Sequence, residues 1–254
     1  MPTITKIVAG RPLTGFLKDI DNADVILWIL RVLKKFSIEH KDRFYAKYVS
    51  LVTRRVDVIK EGKHPNLKPI ENGLLYVDRN IGYVSWMDNS EAEGYTTTNR
   101  TGCLVEANAL WYNALMFNLD IAKFLGNKPL EEEMEALCAK VKYAFYETFL
   151  NESGYLYDCV DGNYVDWSVR PNMLLAIALD YPLLDKRQSK SILDIVTKEL
   201  LTSKGVRTLS PKSSGFRSRV EGGLGNKIYC SYNGAAWPWV LRGYMEAYLR
   251  VFHR

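Results

Sequence analysis

Two carboxylates stand where they could act on a sugar. Asp88 follows Trp86 and Met87 in "VSWMDN" (84–89), and Glu106 is a lone acid inside "NRTGCLVEANALWYNAL" (99–115). Glycoside cleavage needs one carboxylic acid to protonate the departing oxygen and a second carboxylate to activate water or attack the ring. Asp88 suits the acid, since Trp86 and Met87 would exclude water and raise its pKa. A turn or helix-capping Asp is the plainer reading of the same tripeptide. Glu106 sits early in a helical run, where an acid can answer the helix dipole or hold sugar hydroxyls. Asn108, Tyr112 and Asn113 add hydrogen-bonding groups along that helix. "DWSVRPN" (166–172) puts Arg170 and Asn172 at another helix start, with Pro171 suited to the first turn. "SYNGAAWPW" (231–239) gathers Gly, two Trp and Pro at a third. Each motif is weak alone; together they all fall where a polar loop meets a helix.

The elements that would carry them are mostly helical. Apolar residues recur at helical spacing over 21–36, with Ile26, Ile29, Leu30 and Leu33 on one face, and over 40–63, with Phe44, Tyr48, Leu51 and Val58. "ENG" and "RNIG" mark turns, and "LLYV" and "YVSW" read as strands of a small hairpin. Further helices are expected over 103–125, 127–150, 170–179, 185–201 and 234–252. The spacing predicts stacked helical hairpins with functional loops between them, in one domain over 1–254. No repeat of 30–45 residues is visible, which favours a closed ring of hairpins over a solenoid array.

Composition excludes other classes. The chain has 254 residues, 34 Lys+Arg against 29 Asp+Glu, and a net charge of +5 spread over helix faces, so no nucleic-acid site is indicated. Only "SPKSSGFRSR" (210–219) is locally basic. Cys103, Cys138, Cys159 and Cys230 lack metal-ligand spacing, and neither a metal nor a cofactor is expected. No apolar run reaches membrane-spanning length and no signal-type segment opens the chain, so a cytoplasmic place is the default. The 6 Trp and 16 Tyr suit sugar stacking, although aromatics also fill helical cores.

The segments "NADVILW", "VSWMDN", "NRTGCLVEANALWYNAL", "GYLYD", "VRPNMLLAIALDYPLLD", "IVTKELLTSKGVRTLSP", "EGG" and "YNGAAWPWVLRGYMEAYLRV" occur in this order. Together they resemble the amylo-α-1,6-glucosidase domain of bacterial and archaeal glycogen debranching enzymes, from about Asn22 to Val251. The resemblance implies an all-α fold, an (α/α)6 barrel with short β-hairpin insertions. It implies inverting hydrolysis of α-1,6 branch points in glycogen-like glucans. By position, Asp88 is then the general acid, Glu106, Asn108, Arg170 and Asn172 contact glucose hydroxyls, and Trp86, Trp111 and Trp237 form pocket walls. Two departures stand out. Gly223, Lys227–Ile228 and Ser231–Tyr232 occupy places where the family tends to carry an acid, an Arg-Asp pair and Tyr-His. Early hairpins and a last segment carrying the general base are also expected to be missing, which makes the barrel partial. Glu221 is the nearest carboxylate that could substitute for that base or contact the sugar, although its position matches a family loop rather than the base. The implied ligand is an α-glucan. A glucan-binding remnant that does not cut is the alternative, and an incomplete barrel would favour self-association or a partner chain.

Overall fold

The computed structural model describes residues 23–80, 84–87, 98 and 100–253. Three helices open the described chain: α1 (Val25–Glu39), α2 (Lys41–Lys47) and α3 (Val49–Lys60). Helix α1 buries Ile26, Leu27, Ile29, Leu30 and Leu33, the face its periodicity predicts. The single helix expected over 40–63 is two. The chain breaks at Tyr48, whose ring packs on Phe36 and Phe44.

Strands β1 (Leu67–Pro69) and β2 (Leu75–Val77) form an antiparallel hairpin with Leu67 opposite Val77. "LLYV" therefore pairs backwards with "LKP" across the Asn72–Gly73 turn. It does not pair forwards with "YVSW", whose described residues 84–86 are not strand. Gly73 supplies the positive φ of that turn, and the Leu74 amide donates to Asn72 Oδ1.

The central element is α4 (Val105–Leu125), entered from β3 (Cys103–Leu104). It is buried nearly all round, which explains its neutral, Ala- and Leu-rich sequence. Gly126 ends it in the left-handed conformation, and Asn127 caps α5 (Lys128–Phe149) with Pro129 in the first turn. The two form an αα-hairpin, while α1, α3 and α6 cover other sides of α4. Strand β4 (Cys159–Asp161) lies between β3 and β5 (Tyr164–Val165). The helix expected over 170–179 is a 3-10 turn, Pro171–Leu174, leading into the short α6 (Leu175–Ala178), all of it buried.

An Asp185–Gln188 capping box starts α7 (Lys186–Glu199). Strands β6 (Leu201–Thr202), β7 (Gly205–Arg207) and β8 (Ala236–Trp237) follow as a third small sheet, interrupted in sequence by α8 (Leu224–Tyr232). The last helix, α9 (Pro238–Phe252), starts four residues later than its apolar pattern suggests, because residues 236–237 pair with β7. One apolar core runs from Ala23 to Val251 through all the longer helices.

Candidate functional site

The small sheets bring the polar residues together. Gly102 exchanges two 2.9 Å backbone bonds with Val77 and lies against the Val160 carbonyl, where a Cβ would collide with backbone. This close approach sets β3 beside β4 and places Asp158 next to the start of α4, with the Val105 amide donating to its carbonyl. Arg100, just before β3, is thereby enclosed. Its guanidinium donates to both Glu106 oxygens at 2.6 Å and to Ser85 Oγ at 2.9 Å, and its Nε is 2.6 Å from Asp158 Oδ2.

Asp158 is the hub of the cluster. Its Oδ1 accepts from Asn172 Nδ2 at 2.8 Å, and its Oδ2 lies 3.7 Å from Arg170 Nε. Arg170 donates to the carbonyls of Thr208 and Tyr232 and to Asn233 Oδ1. Asn172 Oδ1 accepts the Trp86 indole N–H at 3.0 Å, and the Trp86 amide donates to Asp24 Oδ2. Arg100, Glu106, Asp158, Arg170, Asn172 and Asp24 are all buried. Buried charges persist when they are paired and hydrogen-bonded. Here two guanidiniums balance the carboxylates Glu106 and Asp158.

Burial pushes the Asp24 carboxyl up to about 7, against the pull of the Trp28 and Trp86 donors. Asp158 is also raised by burial, while Arg100 and Arg170 draw it back. Burial alone would lower the Arg100 pKa, but Asp158 and Glu106 hold it well above its usual value.

An aromatic box stands beside this cluster. Trp86 meets Trp239, Trp237 and Tyr232 edge-on, at 4.6, 6.1 and 6.4 Å between ring centres. Tyr232 stacks on Trp237, and the Trp237 indole donates to the Ser231 carbonyl. Tyr232, one of the departures from the family pattern, thus supplies a ring to the box and a carbonyl to Arg170.

The expected site residues divide accordingly. Trp86, Glu106, Arg170, Asn172 and Trp237 belong to one connected cluster. Asn108 and Trp111 face elsewhere: Asn108 bonds the Leu75 amide and carbonyl and the Leu104 carbonyl, and the buried Trp111 indole donates to Gly73. Both tie α4 to the β1–β2 hairpin. Glu221 is exposed on the loop before α8, with its carboxylate 3.5 Å from Arg219. Asp88 lies outside the described residues. Sequence reasoning did not single out Arg100, Asp158 or Asp24. They lie inside the segments "NRTGCLVEANALWYNAL", "GYLYD" and "NADVILW", whose signal belongs to the segment and not to the single charge. Among the described residues, no group of three or more His, Cys, Asp or Glu is arranged to hold a metal ion, and no helix is long and apolar enough to cross a membrane.

The amylo-alpha-1,6-glucosidase family profile matches residues 18–254. The chain belongs to this family. It is a glycoside hydrolase-type domain, and its all-α fold is part of an (α/α)6 barrel with short β-hairpin insertions. No curated protein sequence matches it. Among solved structures it is similar to a sialidase, with a TM-score of 0.68 and 13% identity over 89% of this chain and 20% of that one. It is also similar to neutral trehalase Nth1 from Saccharomyces cerevisiae, with a TM-score of 0.42 and 16% identity over 58% of this chain and 29% of the trehalase. The chain thus spans about a fifth of the length of the sialidase.

Proposed function

We propose that this chain hydrolyses α-1,6-glucosidic branch points of glycogen-like glucans with inversion at the anomeric carbon. The observation that carries the reading is the aromatic box of Trp86, Trp237, Trp239 and Tyr232 over a buried, hydrogen-bonded charge cluster, in a chain of this family. Ring faces and indole edges suit a glucose unit, whose C–H faces are apolar and whose rim is polar. In this reading Asp88, which follows Met87 in sequence, is the general acid that protonates the departing glycosidic oxygen. Inversion requires water to attack the opposite face of the sugar and pass its proton to a second carboxylate, a part that no carboxylate of the buried cluster fills, so that an α-linkage yields β-glucose.

The cluster assigns parts to its members. Arg100, Glu106, Asp158 and Arg170 form the rigid floor that fixes Asn172 and, through it, the Trp86 indole. Glu221, open to solvent beside Arg219, is assigned to accept from a sugar hydroxyl. Asp24, Glu106 and Asp158 are each held by indole, amide or guanidinium donors, which suits framework rather than activation of water. That observation favours a second reading, an α-glucan-binding domain that does not cut. Glucose released from a branched limit dextrin, and abolished in Asp88→Asn, supports hydrolysis. Binding of the dextrin without release supports the second reading, and absence of binding refutes both.

The setting follows from the same features. We place the chain in the cytoplasm, where its four free, buried thiols stay reduced. Helix α9 exposes Met245, Tyr248, Leu249 and Phe252, each 44–55% accessible and spaced as one helical stripe. We assign this stripe to contact with a second copy of the chain.

A further inference from the structure

Asp24 occupies the residue before α1, the usual place for a capping Asp whose side chain accepts from the first-turn amides. It makes no such bond. Its Oδ2 accepts instead from the Trp28 indole at 3.0 Å and from the Trp86 amide, 62 residues away, at 3.1 Å. The two tryptophans are also joined through Trp239, which meets Trp28 at 5.9 Å and Trp86 at 4.6 Å, both edge-on. Trp86 is therefore fixed at two points, its peptide by Asp24 and its indole by Asn172. A buried carboxylate that forgoes the local cap for a distant backbone donor is doing something other than ending a helix.

We propose that Asp24 is a positioning residue for the Trp86–Met87 segment. By holding the Trp86 peptide and the Trp28 indole on one oxygen, it sets the face that Trp86 offers to glucose. Asp88 is the next residue after Met87 in sequence, so anchoring this segment bears on the general acid. This rests on the reading of Asp88 as the general acid. The charged groups whose fields reach Asp24 are Glu106 and Arg100, and its donors are Trp28 and Trp86.

The test uses the full chain with Asp24→Ala and Asp24→Asn, read in two independent ways. Hydrogen exchange at the Trp86 amide, followed by NMR, should rise about tenfold in Asp24→Ala and return to near wild type in Asp24→Asn, which keeps an acceptor. Turnover of branched limit dextrin should fall by about a hundredfold in Asp24→Ala with KM little changed, and recover in Asp24→Asn. In the wild type, the Trp28 indole and Trp86 amide resonances should shift together with one midpoint as pH is varied, and in Asp24→Asn they should not. That arm needs no destabilising variant. Separate midpoints, unchanged exchange in Asp24→Ala, or a rise in KM at unchanged kcat would overturn the proposal. A wild-type chain that releases no glucose would instead refute hydrolysis, while the exchange and titration arms still decide the part played by Asp24.

Discussion

Replacing Arg100 by Met should be among the most damaging changes available to this fold. The guanidinium bridges Glu106 by two 2.6 Å bonds and approaches Asp158 at 2.6 Å, all beyond reach of solvent. At an effective dielectric of about 20 and a charge separation of about 4 Å, each pair is worth roughly 4 kcal/mol before desolvation. Breaking a buried pair while leaving its partner in place typically costs about 3–5 kcal/mol net. Met keeps most of the apolar stem, so the loss reports the charge rather than a cavity. A midpoint drop on the order of 10 °C is expected for a chain of this size. Asp158 would keep only Arg170, so its pKa, already raised by burial, would rise further, and the loss should be larger at pH 8 than at pH 5. Adding Glu106→Gln should restore part of the loss, because the acid no longer needs a countercharge. Urea unfolding of the wild type, both single variants and the double variant closes the cycle. A loss below about 1 kcal/mol, or strict additivity of the two substitutions, would refute the idea of a mutually dependent buried network.

Other consequences follow from the same geometry. Asn108→Ala removes three buried bonds to the β1–β2 hairpin and to Leu104; it should cost about 2–4 kcal/mol in denaturant unfolding. Its glucan affinity should match that of the wild type, and a selective loss of binding would contradict its assignment to the scaffold. With its pKa raised to about 7, Asp24 keeps a proton in the folded state that the unfolded chain has lost above about pH 4. Its contribution to stability therefore falls as pH rises between those values, by at most on the order of 4 kcal/mol. Asp24→Asn should gain on the wild type between pH 5 and pH 8 in paired unfolding curves, and a flat or reversed difference would contradict this. Sedimentation of the wild type should show concentration-dependent association that Tyr248→Glu abolishes. A monomer at every concentration would leave the α9 stripe without its proposed partner.

The helices with strong punctuation were readable from sequence. Gly126, Asn127 and Pro129 fix the α4–α5 turn, and Asp185 with Gln188 fixes the start of α7. The break at Tyr48 was not readable, because no Gly or Pro marks it and the rings that turn it come from Phe36 as well as its own segment. Helix α8 is 9 residues long and buries only Cys230, so no stretch of core residues marks it in the sequence. At the site, Arg170, Asn172 and Trp237 stood out because each sits at a loop–helix junction, and Trp86 because it stands beside Asp88 in "VSWMDN". Asn108 was grouped with Glu106 by proximity along the chain, yet two residues along a helix point to nearly opposite sides. Arg100, Asp158 and Asp24 gain their importance only from pairing across β3, β4 and the start of α1. That pairing depends on strand register and on the glycine contact at Gly102, neither of which is written in any one segment.

The sugar that leaves the site decides between hydrolysis with inversion and its alternatives. Proton NMR of the anomeric signals during the first minutes with a branched limit dextrin reads it directly. β-Glucose appearing before mutarotation, and absent with Asp88→Asn, is the predicted result. α-Glucose as the first product, or no free glucose at all, would contradict inverting debranching at this site.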